Sequence, residues 1–182
     1  MKTKTPKTIV KLTILCVAAI SLCFSCSSMK IEDFKGATPA FVLEQYFSGK
    51  TRAWGVVHDR FGDLRRQFVV DIQGDWDGSQ LVLTEDFVYS DGEKEQRIWK
   101  IRKIDEQTYE GTAGDVIGTA EGKQLGNALH WQYQMNLKMG EDRMKVRFND
   151  WMYLQSDGVL INRAVIYKAG IEIAEVSIFF RK

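Results

Sequence analysis

In MKVRFNDWMYL, residues 144–154, a single carboxylate interrupts an apolar pattern: Asp150 alternates in step with Met144, Val146, Phe148, Met152 and Leu154. A strand of period two sends these side chains to one face, where an acid must meet a donor or take up a proton. VLINRAVIY, residues 159–167, repeats the feature, because Asn162 keeps step with Leu160, Ala164 and Ile166, and Arg163 with Ile161 and Val165. Glu175 follows Ile171 and Ile173 in the same manner. Arg60, in phase with Trp54, Val56 and His58, becomes a candidate partner for Asp150. Groups of this kind serve either as ion pairs that fix strand register or as polar anchors in an apolar ligand pocket. Asp150 is the one acid that could catalyse, and the sequence assigns no catalytic residue.

Other chemistry is thinly represented. His58 and His130 each stand alone on a predicted strand, and Cys16, Cys23 and Cys26 all fall in the first 26 residues, so no metal site of His and Cys ligands is predicted. His130, on the polar phase, reads as a solvated surface residue; His58, in step with Trp54, reads as an inward structural histidine. There is no Gly-x-Ser-x-Gly elbow and no Gly-x-Gly-x-x-Gly loop, and Gly122-Lys123 runs into Gln124 where a phosphate loop needs Ser or Thr. No cofactor is predicted.

The elements that must carry these residues read as strands. LHWQYQMNLK, residues 129–138, alternates strictly, with Leu129, Trp131, Tyr133, Met135 and Leu137 on one phase. A helix would scatter those residues around its circumference, whereas a strand makes a wall of them. Residues 64–76 place Phe68, Val70, Ile72, Gly74 and Trp76 together, and residues 80–89 do the same with Leu81, Leu83, Phe87 and Tyr89. Turn signals at residues 61–63, 77–79, 91–93, 139–141, 156–158 and 168–170 separate further alternating runs. Eight to ten antiparallel strands follow. A meander of that length removes its edges by closing, which predicts an all-β, up-and-down barrel of the lipocalin or calycin kind, with a two-sheet sandwich as the alternative. TPAFVLEQYFSG, residues 38–49, predicts a short N-terminal helix over one mouth, with Thr38 as N-cap, Pro39 in the first turn and Val42, Leu43, Tyr46 and Phe47 as its apolar stripe.

In GTAGDVIGTAEGKQLG, Gly111, Gly114, Gly118, Gly122 and Gly126 recur at three-then-four spacing. They mark either bulges and barrel corners or a bare patch that leaves room for a ligand. The five tryptophans, Trp54, Trp76, Trp99, Trp131 and Trp151, supply area for a core or for cavity walls. If the barrel is hollow, Trp54, Trp76, Trp131 and Tyr133 are the expected walls, and Arg60, Asp150 and Asn162 the expected anchors.

The N-terminus carries an address. Four lysines and no acid in the first 11 residues precede the apolar run from Leu12 to Phe24, whose 13 residues fall short of the ~20 that a membrane span needs. Residues 1–25 therefore read as a signal peptide. Cys26, between Ser25 and the pair Ser27-Ser28, is the expected lipidation site, and acyl chains there would anchor the protein to a membrane. Ser27, where an aspartate would direct retention, points to the outer membrane of a bacterial envelope, facing the periplasm. Residues 26–37 form the lipidated tether, and 38–182 the barrel domain. Without the leader's four lysines, the 25 basic groups fall to 21 against 24 acids, a formal charge of −3 that argues against nucleic acid.

Four segments, AWGVVHDRFGDLRRQFVVDIQGDWDG, LTEDFVYSDGEKEQRIWKI, YEGTAGDVIGTAEGKQLGNALHWQYQM and FNDWMYLQSDGVLINRAVIYKAGIEIAEVSIFFRK, resemble a family of uncharacterised bacterial lipoproteins, domain of unknown function 3833. The resemblance covers residues 34–182, and its most specific features are DWMY, the Ile-Asn-Arg strand and the Phe-Phe-Arg ending. It implies an exported lipoprotein with no assigned activity or catalytic residues; genes of fatty-acid-modifying enzymes near those of its members point towards lipids. The functional expectation is binding of an apolar, fatty-acid-like molecule in the envelope. The alternative is a scaffold lipoprotein with a filled barrel.

Overall fold

A computed structural model describes residues 29–139 and 142–182. Cys26 and the leader lie outside the described residues, as does most of the turn expected at residues 139–141. Residues 31–182 form one compact unit.

Ten strands make up that unit: β1 (Gly49–Asp59), β2 (Leu64–Trp76), β3 (Gln80–Tyr89), β4 (Lys94–Lys103), β5 (Thr108–Thr112), β6 (Val116–Leu125), β7 (Ala128–Met139), β8 (Asp142–Leu154), β9 (Leu160–Lys168) and β10 (Ile171–Arg181). Each pairs antiparallel with the next in sequence, and β1 pairs with β10, which closes the meander into a barrel without free edges. The fold is an all-β, lipocalin-like barrel. Alternation does the work: Leu81, Leu83 and Phe87 of β3 are buried on the inner side, as are Leu129, Trp131 and Met135 of β7.

Among the described residues the one α-helix, α1, spans Leu43–Phe47 and lies across one end. It is shorter than the start at Thr38 predicts. The preceding segment runs extended over the barrel end, where the Phe41 amide donates to the Gly126 carbonyl at 2.8 Å and the Leu43 amide to Gln124 Oε1 at 3.2 Å. Glu44, 7% exposed, accepts from the Tyr109 hydroxyl at 2.7 Å and from Lys103 Nζ at 2.5 Å, which ties the helix to β4 and β5. The Tyr46 hydroxyl lies 3.1 Å from the Gly158 and Phe180 carbonyls on the other side. Gly74 of β2 completes the seat, because a Cβ there would collide with the Phe47 carbonyl.

Upstream, the segment expected to be a polar tether folds into a 3-10 turn at Ile31–Phe34 and lays Phe34 against the outside of the barrel. Its ring sits 5.7 Å from Trp151 and 5.6 Å from Tyr153. Trp151 faces outward from β8 yet is only 6% exposed, since Phe34 covers one side and His130 stacks on it at 4.2 Å. His130 is accordingly a packed residue, with Nε2 2.5 Å from Asn149 Oδ1, and not a solvated one.

Candidate functional site

The interior is hollow. A cavity of about 840 Å³ runs from a floor at Leu43 and Phe47 of α1 to the turns at the opposite end, where Asp59, Arg65, Arg66, Lys138 and Lys168 line its rim. This volume lies within the ~300–1,000 Å³ typical of small-molecule pockets. Its walls are chiefly aliphatic and aromatic. On one side Tyr133 stacks flat on Phe148 at 4.9 Å, and Trp99 meets Trp131 and Tyr133 edge-on at 5.9 and 5.3 Å. Across the barrel Phe68, Phe87 and Tyr89 form a second cluster with centroids 5.6–6.0 Å apart.

Two polar groups interrupt this lining. The first belongs to β8 and β9, where Asp150 and Asn162 are 5% and 3% exposed and both border the cavity. The Oδ1 atoms of both are buried and have no hydrogen-bond partner among the described residues. Burial pushes the Asp150 carboxyl up to about 7, against the opposing pull of the Asn162 amide, the Arg97 charge and the Tyr133 hydroxyl. The second group stands on β3 and β4, five strands round the ring of ten from β8 and so on the facing wall. There Arg97 reaches Asp115 Oδ2 with Nε at 3.0 Å and with Nη2 at 2.9 Å, and Glu95 at 3.8 Å. Glu85 borders the cavity beside it, its carboxyl also raised to about 7 by desolvation, with Arg97 pulling down and Asp115 and Glu95 pushing up. Arg97 is held firmly protonated by Glu85 and Asp115. The Tyr89 hydroxyl donates to Glu95 at 3.0 Å, and the Arg66 guanidinium caps the Tyr89 ring at 3.4 Å, which links this group to the rim.

The family described as protein of unknown function (DUF3833) has a model that matches residues 20–182. The chain belongs to the DUF3833 family. No curated protein sequence matches it. Among solved structures, the S-type phycobiliprotein lyase CPES from Guillardia theta superposes with a TM-score of 0.52 at 10% identity, over 84% of this chain and 90% of that one. At such identity the likeness establishes a shared barrel fold.

Of the residues singled out from sequence, the DUF3833 barrel brings Trp131, Tyr133, Asp150 and Asn162 to the cavity. Trp76 lies partly buried against the core near the floor but does not line the cavity. Trp54 and Arg60 are corrections. Trp54 is 44% exposed on the outer surface, with the Arg52 guanidinium 5.9 Å from its ring. The inward phase of β1 is instead Thr51, Ala53, Gly55 and Val57, small residues that make way for neighbours, and a Cβ on Gly55 would run into the Phe68 ring. Bulky residues are thereby pushed outward, the reverse of the usual reading. Arg60 sits exposed in the β1–β2 turn, stacked on Phe61 at 4.7 Å and away from Asp150. Glu175 faces outward and pairs with Arg163 at 2.6 Å, because a register shift between Glu172 and Ala174 resets the phase of β10.

Sequence reading passed over Glu85 and Arg97. Both carry the signal that exposed Asp150: Glu85 stands between Leu83 and Phe87 on the apolar phase of β3, and Arg97 precedes Trp99 and Ile101 on that of β4. The glycines divide between the two roles. Gly118 and Gly126 adopt positive φ at a register shift and a turn, whereas the room above Gly111 and Gly122 is filled by the Trp131 indole, which a Cβ on either would strike.

Proposed function

We propose that this protein is a lipid-anchored binding protein of the bacterial envelope that holds one apolar small molecule inside its barrel. The observation that carries the reading is the cavity of about 840 Å³, apolar along most of its wall and furnished with convergent polar groups. A scaffold with a filled barrel would have no such space. The fold is shared with a phycobiliprotein lyase, which supports a ligand-holding role for the interior. The guest has a long apolar body, fatty-acid-like in its bulk. Lipidation at Cys26 would fix the barrel to a membrane, expected to be the outer one on its periplasmic side.

Native mass spectrometry of the full chain from its own envelope is expected to show a co-purified small molecule, and added Nile red to brighten in the emptied protein. The absence of both a bound mass and a Nile red response would sink the reading. Independently, cells fed a labelled fatty acid are expected to label the wild type and not Cys26→Ser; retained label in that variant would overturn the anchor.

A further inference from the structure

We propose that the guest presents a hydrogen-bond donor, the O–H or N–H of an alcohol, amide or amine, to Asp150 and Asn162, and that carboxylates are turned away. The inference rests on the reading of the cavity as a small-molecule site and specifies what that site selects.

The polar atoms left over at the cavity wall are acceptors. Asp150 Oδ1 and Asn162 Oδ1 project from neighbouring strands, each from a side chain more than nine-tenths buried, and neither has a partner among the described residues. An unmet buried acceptor costs about 1–3 kcal/mol, and a donor brought by a ligand would recover it. The opposite wall adds Glu85, a cavity-lining carboxylate with Arg97, Asp115 and Glu95 as its charged neighbours.

Among the described residues, the interior cation and three of the four cations at the rim already have anionic partners, Lys168 being the exception. Arg97, the interior cation, is engaged by Asp115 and flanked by Glu85 and Glu95. At the rim Arg65 pairs with Asp59 at 2.5 Å, Arg66 with Glu93 at 2.5 Å and Lys138 with Glu93 at 3.2 Å. A carboxylate pushed to the middle of the barrel would border Asp150 and Glu85, with Arg97 already engaged by Asp115, and would leave Lys168 behind at the rim. Tyr133 can donate, but its hydroxyl is already placed to support Asp150. An amine gains a further pH dependence, because Asp150 and Glu85 lose their protons near neutrality and then oppose its charge with two of their own.

The test compares 1-dodecanol, dodecylamine and dodecanoate, which share one chain and differ in head group, as displacers of Nile red from the full-length protein at pH 8. The alcohol and the amine are expected to bind about tenfold or more tightly than dodecanoate, since a buried acceptor left unpaired penalises the wrong partner. Asp150→Asn is expected to remove the advantage of the amine, and Asn162→Leu to weaken the alcohol. Dodecanoate binding as well as or better than the others overturns the inference, as does a ranking untouched by both substitutions, or Nile red binding that none of the three displaces. Should either variant fail to fold, the wild-type ranking decides. If neither Nile red nor any probe binds, the small-molecule reading falls and this inference with it.

Discussion

Asp150 is a carboxyl group surrounded by Trp131, Ala164 and the cavity, and its protonation sets a cost on folding. In the unfolded chain it ionises near its usual ~4; in the barrel, burial raises it to about 7. Between those values the unfolded chain holds fewer protons than the folded one, so stability falls as pH rises through that window and levels off above it. Glu85 contributes in the same direction, less strongly where the cavity wets it. Asp150→Asn removes one contribution at almost constant shape. Urea denaturation is expected to find the variant level with wild type at pH 4 and more stable by about 1–3 kcal/mol at pH 8. Parallel pH profiles for the two proteins would mean that Asp150 is ionised at no cost in the folded state, through a donor supplied within the barrel.

Single strands told the truth where their register was regular. β7 and β8 alternate against each other without interruption, so Trp131, Tyr133 and Asp150 could be placed inside from spacing alone. Inference failed where the ladder slips. The shifts leave Arg65 of β2, opposite Val57/His58, and Ile173 of β10, between Glu172 and Ala174, as extra residues, which residue period cannot foresee. β1 misled for another reason: its inward residues are small because Phe68 crosses the interior, information that belongs to β2. The helix was legible as an apolar stripe and illegible as an object of one turn, since Gly126 and Gln124, some eighty residues away, take the amides of Phe41 and Leu43. Glu85 and Arg97 were legible in principle, because a charge in step with bulky apolar neighbours is the mark that revealed Asp150.

The barrel as a whole is asymmetric along its axis, and the asymmetry says how a guest gets in. At one end Leu43 and Phe47 form a floor held by Glu44, Tyr46 and Gly74, with hydrogen bonds to both sides of the ring. At the other the cavity reaches Arg65 and Lys138, whose side chains are 62% and 65% exposed, and the turns there carry Phe61, Leu64 and Ile171 at 75%, 50% and 60% exposure. Passage through the floor would break several buried hydrogen bonds at ~1 kcal/mol each or more, whereas passage through the rim displaces partly exposed side chains and their ion pairs. Leu137, opposite Met144 in the last turn-ward layer of the cavity, is the position at which bulk would narrow that opening. Leu137→Trp is expected to slow Nile red association in stopped-flow by about tenfold while costing about 1 kcal/mol or less in urea, because the added rings lie at the half-buried edge of the core. An association rate equal to wild type in a folded variant would put the doorway at the α1 end, and would make the helix a lid in place of a floor.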